Sequence, residues 1–303
     1  MSSDWARRLT SNRRFILVTG KGGIGKTLLA SSLALWAARS GLRVLLVEQS
    51  AVGQIGPLLG RDGVAHEENW VDNLGLANFT AGGNFKDFIT KHLMKSNLLE
   101  VLVANKMVHS FFTAIPGFAE LMLLGRIYYA VNLAKNPPDL VIMDSYASGH
   151  FLSLMTTPDA VINSGLAGPI IQQTQKVKAW LADPGQCATI YVATPEDLVV
   201  SEALDFLPVL ESRSPVHVDA IVMNRCVKRS SLEDDDSENA ANIFLRERIK
   251  RQDKALNTLR FGLKSRDSVK NIAVVCLPEL GAIEEPLRYD TVVSLLAEGV
   301  DQV

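Results

Sequence analysis

The sequence predicts an α/β fold with a doubly wound, mostly parallel sheet, and three observations carry that prediction. Short continuous apolar runs recur along the 303 residues, as strands buried on both faces of a parallel sheet require. Between them lie stretches with apolar residues at helical spacing, the alternation of a βαβ chain. One strand-to-helix junction is glycine-rich, Gly20-Lys21-Gly22-Gly23-Ile24-Gly25-Lys26-Thr27, and such sheets hold their ligands at the carboxyl ends of strands.

The elements follow in order. Phe15 to Thr19 reads as the first strand; after the glycine-rich segment, Leu29, Leu33 and Trp36 recur at helical spacing, with Gly41 as a stop. Val44 to Val47 is the second strand, Leu74 to Phe79 a weaker one, and Leu140 to Met143 a strong one that runs into Asp144. Ala188 to Ala193, Val216 to Met223 and Ile272 to Leu277 complete the strands, with helices expected near 117–135, 171–182, 196–211, 240–261 and 287–298. Two stretches break the rhythm. Phe85 to Ile115 is long, helical and rich in leucine, methionine and phenylalanine; Lys228 to Glu238, with Glu233-Asp234-Asp235-Asp236, reads as a solvated loop. The helix after it carries Leu245, Ile249, Leu256 and Leu259 on one side, a surface helix packed along a stripe.

Size and composition bound the function. With 47% apolar residues the chain can bury a large core, and one domain spanning 1–303 is expected. A net charge of −2 offers no global attraction to nucleic acid, so no nucleic-acid partner is expected. Cys187, Cys226 and Cys276 have neither disulfide-framework nor zinc-site spacing. The polar, basic segment Met1 to Arg14 does not resemble a secretory signal, and the best bilayer-length candidate, Phe118 to Leu133, is interrupted by Glu120 and Arg126. A reduced, cytoplasmic setting is expected.

The glycine-rich segment has the form G-x-x-x-x-G-K-[ST], a phosphate-binding loop. Glycines let successive N–H groups turn inward toward phosphate oxygens, and the helix that follows presents its positive end. Lys26 reaches the β and γ phosphates and Thr27 offers its hydroxyl to Mg²⁺. The candidate nucleotide-binding residues are Gly20, Gly22, Gly23, Ile24, Gly25, Lys26, Thr27 and Leu28. Asp144, at the end of a hydrophobic strand, has the placement of an acid that holds the magnesium of a bound nucleoside triphosphate, often through water.

Lys21 adds a second lysine inside the loop, and with it the sequence resembles the deviant Walker A motif, K-G-G-x-G-K-[ST], of the ParA, MinD, nitrogenase iron protein and ArsA/Get3 ATPases, P-loop NTPases of SIMIBI type. The resemblance implies that Lys21 acts across a dimer interface on the partner's nucleotide, so that dimerisation and hydrolysis are coupled. Asp144-Ser145-Tyr146-Ala147-Ser148-Gly149-His150 is similar to the switch II segment D-x-x-P-T-G-H of the ArsA/Get3 group, with Ala147 for proline and Ser148 for threonine. There Gly149 would sense the γ-phosphate as a hinge and His150 pass the signal on. The same resemblance gives Asn224, in Val222-Met223-Asn224-Arg225, the adenine edge, and makes Cys276-Leu277-Pro278-Glu279 the loop that covers the base, with Pro278 at its centre. Thr194-Pro195-Glu196 matches a further family landmark but is explained as a helix cap. The 85–135 region falls where the group inserts a helical subdomain that meets a hydrophobic client or membrane-protein partner.

One position departs from the pattern. The group's switch I aspartate positions the attacking water, and in Val47-Glu48-Gln49-Ser50-Ala51-Val52-Gly53 its place is taken by Ser50. A serine hydroxyl hydrogen-bonds water but carries no charge and is a poor base, so hydrolysis is expected to be weak or absent while binding survives. Glu48 or Gln49 are the substitutes within reach. Two readings follow: an ATP-switched homodimer or heterodimer coupled to a client, and a hydrolysis-impaired subunit that pairs with an active paralogue. A weaker third, a ParA/MinD-like positioning ATPase, predicts a basic or amphipathic terminal element where the sequence has a short acidic tail.

Overall fold

A computed structural model describes residues 4–49, 53–60, 69–79, 117–165, 167–228, 240–265, 272–280, 287–298 and 301–302. The strands are β1 (Phe15–Gly20), β2 (Val44–Glu48), β3 (Asn69–Val71), β4 (Leu74–Asn78), β5 (Leu140–Ala147), β6 (Cys187–Ala193), β7 (Val218–Cys226), β8 (Ala273–Pro278) and β9 (Asp301–Gln302). The described helices are α1 (Asp4–Ser11), α2 (Lys26–Arg39), α3 (Ile55–Leu58), α4 (Phe118–Asn132), α5 (Ser148–Ile162), α6 (Pro169–Leu181), α7 (Asp197–Arg213), α8 (Ala240–Lys264) and α9 (Leu287–Glu298).

All nine strands of the described residues join one sheet in the order β3-β4-β2-β5-β1-β6-β7-β8-β9. Its interior pairs are parallel, and only β3 on β4 and β9 on β8 run antiparallel. This is the doubly wound α/β sheet that the apolar runs predict. β1 sits between β5 and β6, and all six of its residues are buried, which is why its sequence is apolar without alternation.

Side chains alternate along the strands and so divide the core in two. Ile16, Val18, Val44, Leu46, Leu140 and Ile142 face α1, α2, α3 and α9. Phe15, Leu17, Leu45, Val47, Val141 and Met143 face α4 to α8, where Trp180 of α6 stacks on Phe15 at 5.1 Å between ring centroids. Helix α2 lies across the middle of the first face, and this fixes its amino end, carrying Lys26 and Thr27, over the carboxyl ends of β1 and β5.

The structure departs from the sequence reading in four places. The segment before β1 is helix α1, whose Trp5, Ala6 and Leu9 are buried against α2; its apolar stripe is too short to stand out among arginines. β5 continues past Asp144 through Ser145, Tyr146 and Ala147, so the acid lies within the strand rather than at its tip. There the pairing with β1 shifts register between Val18 and Gly20, and the Thr19 hydroxyl donates to the Tyr146 carbonyl at 3.0 Å. Helix α5 begins directly at Ser148, and the short antiparallel edge strands β3 and β9 have too few residues to show a pattern. Of the insertion expected over 85–135, residues 80–116 lie outside the described residues, as does the acidic segment 229–239; 118–132 is α4, packed in the larger core. Among the described residues Cys187, Cys226 and Cys276 form no disulfide, and no helix is long and apolar enough to cross a membrane.

Candidate functional site

The loop between β1 and α2 is built on backbone that only glycine adopts readily. Gly25 has φ +98°, and a Cβ there would lie 2.3 Å from the Asn224 Nδ2. That contact is purposeful, because Asn224 Nδ2 donates to the Ile24 carbonyl at 2.7 Å. Beside it, the Arg225 guanidinium donates to the Gly23 carbonyl at 3.0 Å. In a trans peptide the carbonyl and the following N–H point opposite ways, so these two bonds fix the planes that carry the N–H groups of Ile24 and Gly25. The Lys26 ammonium donates to the Lys21 carbonyl at 2.9 Å, curled over its own loop.

Arg225 makes its contact at a cost. It has φ +61°, left-handed backbone that is unfavourable by roughly 1 kcal/mol for a residue with a Cβ, at the point where β7 loses register with β8 between Met223 and Cys226. An Arg225→Gly variant relieves that strain and loses one hydrogen bond of similar worth. Its thermal stability is expected to stay within about 1 kcal/mol of the parent. Binding of a fluorescent ADP analogue should weaken roughly fivefold as the loop loosens, since that factor corresponds to one hydrogen bond.

Thr27 and Asp144 meet below the loop. The threonine hydroxyl donates to Asp144 Oδ2 at 2.6 Å, and Asp144 Oδ1 is buried with no partner. Burial pushes the Asp144 carboxyl up to about 6; Glu48 adds to the rise, while the Thr27 hydrogen bond and the Lys26 charge pull the other way. Burial likewise lowers the pKa of Lys26, and the charge of Asp144 opposes that shift. Two charged groups are thus held partly out of water without a direct ion pair between them.

Glu48 lies next to Asp144 across the β2–β5 pair and is only 4% exposed. Its Oε2 accepts from the backbone N–H of Gln54 at 2.8 Å and of Ile55 at 3.2 Å, which caps the short helix α3. The sequence marks Glu48 only as a stand-in for the missing aspartate; its capping contact depends on where the chain returns at Gln54, which a strand-end glutamate does not reveal.

The other candidates are distributed as follows. Lys21 turns away from the loop and pairs with Glu202 of α7 at 2.8 Å, both groups remaining substantially exposed. Gly149 is exposed in the first turn of α5, with open space where a Cβ would stand. Ser50 lies outside the described residues. A cleft of about 410 Å³ is lined by Gly23, Gly25, Lys26, Thr27, Leu28, Asn224, Arg225, Glu279 and Leu280, a size proper to a small-molecule site. Its far wall is thus formed by the two residues after Pro278. The structure brings together in one cleft the loop, Leu28 and Asn224, which are separated by about two hundred residues in the chain. Arg225 and Glu202 are the contributors that no sequence motif marks for these contacts.

Comparison with known proteins gives the family. The profile of the anion-transporting ATPase family matches residues 13–168, from the residue before Arg14 through the loop, β2, β5 and α5. The chain belongs to the anion-transporting (ArsA) ATPase family. Among its relatives, ATPase BagA of Mycobacterium tuberculosis is 29% identical over 257 residues, covering 79% of this chain and 72% of that protein. ATPase get3 of Aspergillus terreus is 27% identical over 158 residues, 51% of this chain and 45% of its own length. ATPase ASNA1 homolog 2 of Paramecium tetraurelia is 29% identical over 167 residues, 50% and 46% respectively. The match to the last two therefore spans a little under half of their length and about half of this chain.

Proposed function

We propose that this ArsA-family chain binds ATP with Mg²⁺ at the loop 20–27 and works as a nucleotide-switched dimer. The observation that carries the reading is the Thr27–Asp144 contact beside the loop. A hydroxyl and a carboxylate already held together, with Asp144 Oδ1 buried and unpartnered, form a hard-oxygen pair suited to a magnesium that keeps most of its other contacts to water and phosphate. Bound there, the metal would neutralise charge on the phosphate oxygens. Lys26 would leave the Lys21 carbonyl for the phosphates, while Asn224 and Arg225 keep the loop in shape. The adenine would lie between the amide of Asn224 and the wall at Glu279 and Leu280, with Pro278 behind it.

Lys21 is the residue for the dimer. Its ion pair with Glu202 is solvent-exposed on both sides, and such pairs contribute about 1 kcal/mol or less, so a partner's phosphates would draw the lysine away readily. The partner is a second copy or a paralogous ATPase. Gly149 and His150, exposed at the start of α5, would report the nucleotide state to a hydrophobic client or membrane-protein partner. We infer one domain over 1–303 with its helical insertion in the 85–135 region, acting in the cytoplasm.

Ser50 separates two forms of this reading. With serine at the water-positioning place, the pure protein is expected to bind Mg·ATP and turn it over slowly, and a Ser50→Asp variant to turn it over faster. Phosphate release measured on both proteins, beside sizing with a non-hydrolysable ATP analogue, is the test. Background turnover restored by aspartate supports an impaired subunit built to pair with an active paralogue. Full turnover in the parent supports the active switch. A chain that stays monomeric with the analogue, or binds no adenine nucleotide, overturns both.

A further inference from the structure

Glu48 has one oxygen in use and one to spare. Oε2 takes two backbone N–H groups, from Gln54 and Ile55, while Oε1 is buried with no hydrogen-bond partner, in a residue only 4% exposed. Buried carboxylate oxygens are costly when unpaired. Its neighbour in register, Asp144, repeats the pattern, with Oδ2 on Thr27 and Oδ1 unpartnered. Residues paired across parallel strands put their side chains on the same face, with the strands about 5 Å apart, and Glu48 and Asp144 both follow the face of Leu46 and Ile142, on which α2 lies. The interior therefore holds two adjacent carboxylates, each with a spare oxygen, and among the described residues neither carboxylate forms a salt bridge with a lysine or arginine.

We propose that Glu48 is a positioning residue of the magnesium site: its free oxygen holds a water of the metal shell, while its other oxygen ties that shell to the segment Gln54–Ile55. The inference deepens the nucleotide reading and rests on it. Direct coordination is left to Thr27, Asp144 and the phosphates. Glu48 adds a second carboxylate beside Asp144, and links metal occupancy to the start of α3. A hydrogen-bonding partner one shell out from a metal changes its affinity by roughly 10- to 100-fold.

The test compares the full-length parent with Glu48→Gln, which keeps the shape and an acceptor for Gln54 and Ile55 but removes the charge. A fluorescent ADP analogue is bound first without metal, then MgCl₂ is titrated, and melting temperatures are taken at each metal concentration. The expected result is metal-free binding within about threefold of the parent and a magnesium midpoint raised roughly tenfold, with the magnesium-induced rise in melting temperature shifted in parallel. A midpoint unchanged in the variant, even if the metal-free protein melts lower, makes Glu48 a helix cap and nothing more, and overturns the proposal alone. A parent that fails to bind the analogue overturns the nucleotide reading and this proposal with it.

Discussion

Replacing Gly20 by alanine is expected to leave little or no folded protein. Gly20 closes β1 at φ +142°, a conformation that residues with a Cβ almost never enter, and a Cβ there would lie 2.2 Å from the Val192 carbonyl oxygen of β6. The obstacle is backbone in the neighbouring strand, paired with Gly20 in the parallel ladder, so no rotamer change relieves it. Strain of this kind together with a forced separation of β1 from β6 is expected to lower stability by more than about 4 kcal/mol, beyond the usual range of point substitutions. The measurement is soluble yield and the urea midpoint. A Gly20→Ala protein that melts within a few degrees of the parent would show that the end of β1 can move, and the rigid placement of the loop would fall with it. Gly22, with nothing within 4 Å of where a Cβ would stand and no positive φ, serves as the control; its alanine variant should fold.

Asp144→Asn is expected to have two large effects of opposite sense. The nucleotide-free protein should become more stable at neutral pH. The folded state raises the Asp144 pKa from 3.8 to about 6, so between those values the folded chain binds more protons than the unfolded one. Stability from this group therefore falls as pH rises through that window, and the full penalty, on the order of 3 kcal/mol, remains above it. Asparagine keeps an acceptor for the Thr27 hydroxyl and removes the buried charge, so the variant should unfold at higher denaturant at pH 7.5 and lose that advantage below about pH 4. At the proposed magnesium site the carboxylate would be the charged ligand, so magnesium-dependent tightening of nucleotide binding should meanwhile fall on the order of 100-fold. Denaturation curves at pH 4 and 7.5 together with magnesium titrations check both arms. A variant less stable at pH 7.5 would mean that the charge is solvated or paired, and that the site does not hold it in reserve for a cation.

The fold is legible in the sequence because its signals are local. Buried parallel strands are apolar throughout, and β1, β2, β5, β6 and β7 each announce themselves within a few residues of their bounds. The glycine-rich loop between β1 and α2 is legible for the same reason, as its pattern is packed into eight consecutive residues. Elements without such signals escape notice: α1 buries Trp5 and Leu9 in an otherwise charged segment, and β3 and β9 exist only because a neighbouring strand edge offers hydrogen bonds. Asp144 stands out as an acid after an apolar run, but its place inside β5 does not, since the continuation through Tyr146 depends on Thr19 bonding across a register shift.

Patterns of neighbours along the chain were enough to establish the sheet, the glycine-rich loop and the family, and to single out Asp144 and Thr27. How those groups are partnered was settled by tertiary packing alone. It set Lys21 on Glu202, Asn224 and Arg225 on the carbonyls of Ile24 and Gly23, and Glu48 beside Asp144 with an oxygen unused. These contacts join residues up to about two hundred positions apart, and their distances and burial follow from strand order and register, quantities that no short stretch of sequence contains.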